Sequence, residues 1–265
     1  MGMAATSEVL RSPSPCDHLI QAYTDDAFLG KVVAEYVAAG LEQGEAAVLI
    51  ATPEHTELFS ERFAALGIDV PAALRARQLL FLDADQTLAR FMVDGRPDRQ
   101  MFLSIVATTL DHVRAAGYRR IRLYGEMVDL LWADSLDATL ELERLWNEVL
   151  ADERLSLFCA YRIDPLDRQV QGVLRQVTHC HSHLLPVENS ERFAEAVDRA
   201  YTDVFGVDGD VQTLRQLLVA HEHLATEMPS AQAAMFALES LLPTIAESVR
   251  VKARQYYRVA PRRLS

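Results

Sequence analysis

The sequence predicts an α/β fold: a mainly parallel sheet of about five or more strands with helices on both faces, followed by a C-terminal helical extension. Two observations predict it. From His18 to Val187, short apolar runs alternate with amphipathic helical stretches, as in a sheet covered on both sides. After Val187 the strand signals stop and only helical periodicity remains.

Residues up to about Pro15 are polar and end in Ser-Pro-Ser-Pro, which makes 1–16 a flexible tail. His18–Tyr23 reads as a strand, and Thr24-Asp25-Asp26 offers capping side chains to a helix that carries Phe28, Val32, Tyr36 and Val37 on one face. Ala46–Ala51 is the second strand. Thr52-Pro53 then supplies a cap and a proline at the first helical position, and Gly67 ends that helix. Leu79–Leu82 is the third strand, followed by a helix around Leu88–Val93 and a turn over Asp94–Asp98. Helices of about Arg99–Ala115 and Asp137–Ala151 precede strands Ile121–Tyr124 and Leu155–Tyr161, and Asp164-Pro165 opens one more helix. Residues 17–188 thus form an α/β domain. In 189–265, helices are expected over Glu191–Val204, Val211–Glu227 and Ala231–Tyr257.

Composition narrows the function classes. A net charge of −12 disfavours direct binding to nucleic acid or to an anionic membrane. No apolar run approaches the roughly 20 residues a spanning helix needs, and the N-terminus lacks the basic-then-apolar order of a signal peptide. The expected location is the cytoplasm. Cys16, Cys159 and Cys180 are too few and too scattered for a disulfide framework.

In a parallel sheet, ligands sit at the carboxyl ends of the strands. The residues of interest therefore follow the strands: Tyr23–Asp26, Thr52–His55, Asp83–Asp85, Gly125–Asp129 and Arg162–Asp164. From these, Tyr23, Asp25, Asp26, Thr52, His55, Asp83, Glu126 and Asp129 are candidate ligand-binding residues, joined by Lys31 on the first helix. "YTDDAFLGKVV" keeps Gly30-Lys31 where a phosphate-binding loop would have them, but Val32 replaces the magnesium-binding hydroxyl and the first glycine is absent. Asp25 and Asp26 would also turn negative charge toward a phosphate. Magnesium–nucleotide hydrolysis is not expected.

Several blocks together carry a resemblance: "HLIQAYTDDAFLGKVVAEYVAAGLEQGEAAVLIATPEH", "FLDADQTLARFMVDGRPD", "RLYGEMVDLLWAD", "LELERLWNEV", "LFCAYRID" and "HCHSHLLPVE". Over about Asp17 to Glu188 the chain resembles the MEDS domain, the sensory domain of DcmR-type regulators, itself similar to the RecA/KaiC ATPases. The resemblance implies a ligand-sensing domain acting in transcriptional or two-component signalling, with a small-molecule ligand and a regulatory protein partner. It assigns no catalytic residue and no cofactor. The alternatives are a hydrolase using Glu126 as general base and a metal or redox sensor at "THCHSH". In an extended segment His179, His181 and His183 would point to one side beside Cys180, as a metal requires; the other reading is a loop with Cys180 buried and one histidine bonded to a carboxylate. Finally, the stripes Leu214, Leu217, Leu218, Leu224 and Phe236, Leu238, Leu241, Leu242, Ile245 exceed what two helices bury between themselves. A homodimer is expected, with docking of the tail on the α/β core as the rival.

Overall fold

The computed structural model describes residues 8–152, 154–167, 170–206, 209–224 and 226–258. Its main sheet has six strands: β1 (His18–Tyr23), β2 (Ala46–Ala51), β3 (Leu79–Asp83), β6 (Ile121–Gly125), β7 (Leu155–Arg162) and β8 (His183–Leu184). Their order is β3-β2-β6-β7-β1-β8, and every neighbouring pair is parallel. Strands β1, β2 and β6 are buried at every position. That is why their sequences run apolar without alternation.

The connections cover the two faces unequally. Helices α1 (Asp26–Glu42) and α2 (Pro53–Ala65) lie on one face, where Leu29, Val33, Tyr36, Phe59 and Phe63 pack with Tyr124 and Phe158. Between α2 and β3 runs the short α3 (Val70–Arg75). Helices α5 (Arg99–Arg114), α7 (Leu136–Val149) and α8 (Gln171–Thr178) cover the other face around Phe102, Leu142, Trp146 and Val177. Short α6 (Met127–Trp132) follows β6 directly. The helix starts carry the caps their sequences promise: Asp25 accepts from the Phe28 amide at 2.7 Å, Asp83 from Gln86 at 2.8 Å and Asp98 from Met101 at 2.8 Å.

Three expectations need correction. The helix expected over 88–93 is α4 (Ala84–Ala89), followed by a hairpin of β4 (Met92–Val93) and β5 (Arg96–Pro97). Asp94 and Gly95 sit at φ 50° and 78°, the double positive φ of a type I′ turn. The helix expected at Asp164-Pro165 starts only at Gln171. The single helix expected over 231–257 is two, α11 (Ser230–Leu241) and α12 (Pro243–Arg258). Pro243 cannot donate into the preceding turn and pushes Leu242 to φ −140°, ψ 61°.

Together with α9 (Ser190–Phe205) and α10 (Gly209–Glu222), these helices form the C-terminal region. α9, α11 and α12 build a third core from Phe193, Val197, Tyr201, Met235, Leu238 and Val249. On its other side α11 inserts Ala233 and Phe236 into the sheet core. The tail therefore docks on its own α/β domain, the rival reading, while Leu217, Leu224 and Leu241 stay more than half exposed. Among the described residues, no helix is long and apolar enough to cross a membrane.

A cation lies inside the fold. Arg122 of β6 is 1% exposed; its guanidinium donates to Glu45 at 2.6 Å and to the carbonyls of Tyr36, Leu10 and Arg11 at 2.7, 2.9 and 3.0 Å. A β-carbon at Gly40 would stand 2.5 Å from its Nε, so glycine there makes room for the cation.

Candidate functional site

Where neighbouring parallel strands send their helices to opposite faces, a crevice opens at their carboxyl ends. β1 leads to α1 on one face, whereas its neighbour β7 leads toward α8 on the other. β2 and β6 diverge in the same way, through α2 and α7. The ends of four adjacent strands thus border one opening. A β-carbon at Gly125 would meet nothing within 4 Å, so the end of β6 faces open space.

Glu126 sits at the floor, 2% exposed. Its Oε1 accepts from His55 Nδ1 at 2.7 Å and from the Tyr124 hydroxyl at 3.0 Å, and its Oε2 from the Thr52 amide at 3.2 Å. The other His55 nitrogen, Nε2, lies 3.3 Å from Asp26 Oδ1. Asp26 in turn pairs with Arg162. Asp129 accepts from the Arg162 amide at 2.7 Å, from Trp132 Nε1 at 2.9 Å and from the Tyr23 hydroxyl at 3.4 Å. The Arg162 guanidinium carbon stands 5.1 Å from the centre of the Tyr23 ring. Residues from β1, α1, α2, β6, α6 and β7 thereby form one polar network, closed at the bottom and open at Asp26 and Arg162, whose side chains are about half exposed.

The electrostatics follow from this placement. Burial alone would lower the His55 pKa, but the carboxylates of Glu126 and Asp26 at its two nitrogens outweigh it and raise the value. Burial raises the Asp129 carboxyl against the bonds from Arg162 and Trp132, and burial beside these carboxylates raises the hydroxyls of Tyr23 and Tyr124. A histidine whose folded pKa is raised binds its proton more tightly folded than unfolded. Its stabilisation is full below the ordinary value of about 6.5 and is lost as pH rises through the folded value. The melting temperature of the wild type should therefore fall from about pH 6 to pH 8 by more than that of His55→Gln, the difference isolating this residue. Equal slopes in the two proteins would show that His55 carries no such coupling.

A cavity of about 310 Å³ opens beside this network at the end of β1. One wall is Tyr23, Thr24 and Asp164; the other is Arg254, Tyr257 and Arg258 of α12. Arg254 donates to Asp164 at 3.0 Å and the Tyr257 hydroxyl to the Glu188 carbonyl at 2.6 Å, while Arg254 Nε is buried without a hydrogen-bond partner. A larger groove of about 640 Å³ runs along the outer side of α1 and is lined by Asp25, Phe28, Lys31 and Arg192. It holds none of the network residues, whereas Tyr23 of the network lines the smaller opening.

The sequence profile of the MEDS family, MEthanogen/methylotroph, DcmR Sensory domain, matches residues 17–182. The chain belongs to the MEDS family. No curated protein matches it. Membership gives it a sensory domain, and hence a place in sensing or signalling.

Within the MEDS domain, the structure unites Tyr23, Asp26, Thr52, His55, Glu126 and Asp129 of the expected residues. It separates the rest. Asp25 spends its carboxylate capping α1, and Asp83 caps α4. Lys31 faces the outer groove, and Gly30 beside it is a packing residue whose added β-carbon would meet Leu58 at 3.2 Å. The expected convergence of His179, Cys180, His181 and His183 is also corrected. α8 runs to Thr178 and a turn follows, so alternate residues do not share a side. His179 meets Glu222 at 3.2 Å, half-buried Cys180 Sγ reaches the Gln176 carbonyl at 3.7 Å, and His183 approaches Glu227 at 3.4 Å and Asp17 at 3.8 Å. His181 alone turns inward.

Tyr124, Trp132 and Arg254 lay outside the expected set. Tyr124 is an apolar-run residue whose hydroxyl is visible only once β6 is aligned with Glu126, and Arg254 reaches the strand ends only through the docking of α12. Arg162 did carry a signal, as the first polar residue after a buried strand.

Proposed function

We propose that this MEDS protein is a non-catalytic sensor that binds a small anionic ligand at the carboxyl ends of β1 and β7 and reports occupancy through α12 to a regulatory partner. One observation carries the reading: the cavity at the end of β1 is walled on one side by the sheet and on the other by Arg254, Tyr257 and Arg258 of the last described helix. A ligand there touches both the sensory core and the C-terminal region. Its volume is at the small end of ligand pockets. Two arginines, one with an unpartnered Nε, fit a carboxylate or phosphate group.

The hydrolase reading loses support at Glu126. Three protein donors, from His55, Tyr124 and Thr52, already hold its carboxylate in the interior, which supports a structural role over that of a general base aimed at a substrate water. At the β1–α1 junction the Asp25 carboxylate already occupies a helix-terminal amide, where a phosphate would otherwise bind.

Thermal-shift measurements with a panel of small carboxylates, inorganic phosphate and phosphate esters test the reading. A ligand at a hundredfold excess over its Kd should add about 2.7 kcal/mol of stability. The response should vanish in Arg254→Ala, which breaks a pair with Asp164 that is about one-third exposed and itself costs only about 1 kcal/mol. A panel in which no compound shifts the wild type, or in which Arg254→Ala responds equally, overturns it.

The exposed leucines of the tail belong to the same proposal. Leu217, Leu224, Leu241 and Leu242 would meet the partner or a second copy, making a homodimer. Light scattering at micromolar concentration should then give about twice the 29.7 kDa chain mass; a mass that stays at one chain at high concentration removes the dimer.

A further inference from the structure

On the α7–α8 face of the sheet, four metal-ligating side chains meet that no spacing in the sequence connects. His18 opens β1 and Cys159 lies within β7, paired opposite Ile20. His18 and Ile20 are two apart and share a face of the strand, so the imidazole and the thiol are neighbours. Glu143 projects from α7 and His181 from the turn after α8. Their relative exposures are 2%, 0%, 0% and 3% for His18, Cys159, Glu143 and His181. One ligand atom from each lies within 4.8 Å of all the others.

The hydrogen bonds around the cluster point the right atoms inward. Asn147 Nδ2 donates to the Cys180 carbonyl at 3.0 Å, which turns its Oδ1 to His18 Nδ1, also at 3.0 Å. An amide oxygen only accepts, so Nδ1 carries the proton and His18 Nε2 is a bare lone pair. His181 Nδ1 faces the Val177 carbonyl at 2.7 Å, so its Nε2 is bare as well. That Nε2 is buried without a hydrogen-bond partner. The hydroxyl of Tyr161 holds Glu143 from behind. Ligands oriented by carbonyl, amide and hydroxyl groups behind them are the outer-shell arrangement of metal sites.

Three spacings approach those of coordination, while Cys159 Sγ stands 3.9 Å from Glu143 Oε2 and would draw in around an ion. His18 Nε2 is 3.3 Å from Cys159 Sγ and 3.4 Å from Glu143 Oε2, and His181 Nε2 is 3.5 Å from Glu143 Oε1. Tetrahedral zinc with its usual bond lengths sets neighbouring ligand atoms roughly 3.3–3.6 Å apart. As a purely hydrogen-bonded cluster the four groups leave the buried His181 Nε2 without a partner within hydrogen-bond distance.

We propose that His18, Glu143, Cys159 and His181 bind one zinc-class divalent ion in a closed, tetrahedral site. The ion takes two neutral imidazoles, the Glu143 carboxylate and the Cys159 thiolate, the thiol proton and the carboxyl proton of buried Glu143 leaving to solvent as the metal enters. It ties β1, β7, α7 and the turn after α8 together. The His181 carbonyl in that turn accepts from Thr226 Oγ1 at 3.0 Å, where the C-terminal region crosses the core, so metal occupancy also fixes how the tail is seated. The site shares only His181 with the "THCHSH" cluster and is separate from the strand-end network.

Elemental analysis of the full chain, purified without affinity tag or chelator, should give one zinc per chain. Chelator-stripped wild type should take up one equivalent of Co(II) and show visible tetrahedral bands with a thiolate-to-cobalt charge-transfer band. Cys159→Ser and His181→Gln should lose the stoichiometric ion, and Asn147→Ala should weaken binding by about 10–100-fold. His179→Gln, Cys180→Ser and Glu126→Gln should retain it. The wild-type cobalt spectrum stands even if a variant fails to fold. Wild type that contains no stoichiometric metal and takes up no thiolate-ligated cobalt overturns the proposal. So does binding that survives in folded Cys159→Ser but is lost in Cys180→Ser.

Discussion

Glu45→Ala should destabilise the protein by about 3–5 kcal/mol, because it strips a buried cation of its counter-charge. Arg122 cannot deprotonate and is 1% exposed. Its three backbone carbonyl partners carry no full charge. Glu45 also pairs with Arg120 at 2.9 Å, but that pair lies nearer the surface and adds little. The loss should appear in urea unfolding as a lower midpoint with an unchanged slope. The double variant Glu45→Leu/Arg122→Leu should recover part of the loss, since removing both charges is cheaper than removing one. Recovery will be incomplete, as the carbonyls of Leu10, Arg11 and Tyr36 lose their donor. A single-variant cost below about 1 kcal/mol would mean that water reaches Arg122 after all.

Glu126→Ala should cost about 3 kcal/mol, leaving the His55 ring, the Tyr124 hydroxyl and the Thr52 amide without an acceptor in a buried place. A position that merely faces a crevice would tolerate the neutral isostere within about 1 kcal/mol, which is what the sequence alone leads one to expect of Glu126→Gln. The network raises that figure. Glutamine keeps one oxygen for His55 and Tyr124, but its amide group meets the Thr52 N–H, donor against donor, at a cost of about 1–3 kcal/mol. Chemical unfolding of the two variants should therefore rank alanine below glutamine and both below the wild type. Glutamine as stable as the wild type would return Glu126 to the role of a free ligand-facing carboxylate.

The strands were legible because each is an apolar run closed by a polar residue: β1, β2, β3, β6 and β7 fall within one residue of their expected bounds. The strand-end rule likewise found Asp26, His55, Glu126 and Asp129, since a carboxylate or histidine directly after a buried strand has little choice of position. What failed was local evidence with two meanings. The apolar Phe91-Met92-Val93 passes for a helix until Asp94-Gly95 closes it into a hairpin, and Pro243 breaks a periodicity that continues on both sides of it. The buried quartet was out of reach for another reason. His18 reads as the start of a strand and Cys159 as a small core residue, and only the pairing of β1 with β7 brings them together.

In the proposed sensor, one small ligand touches both the strand ends and α12. Hydrogen–deuterium exchange of the wild type, with and without the anion giving the largest thermal shift, tests it most directly. Added protection is expected at the end of β1, around Arg162–Leu166 and along the last turns of α12, all absent in Arg254→Ala. Protection confined to the outer groove around Phe28, Lys31 and Arg192, with α12 unchanged, would contradict it.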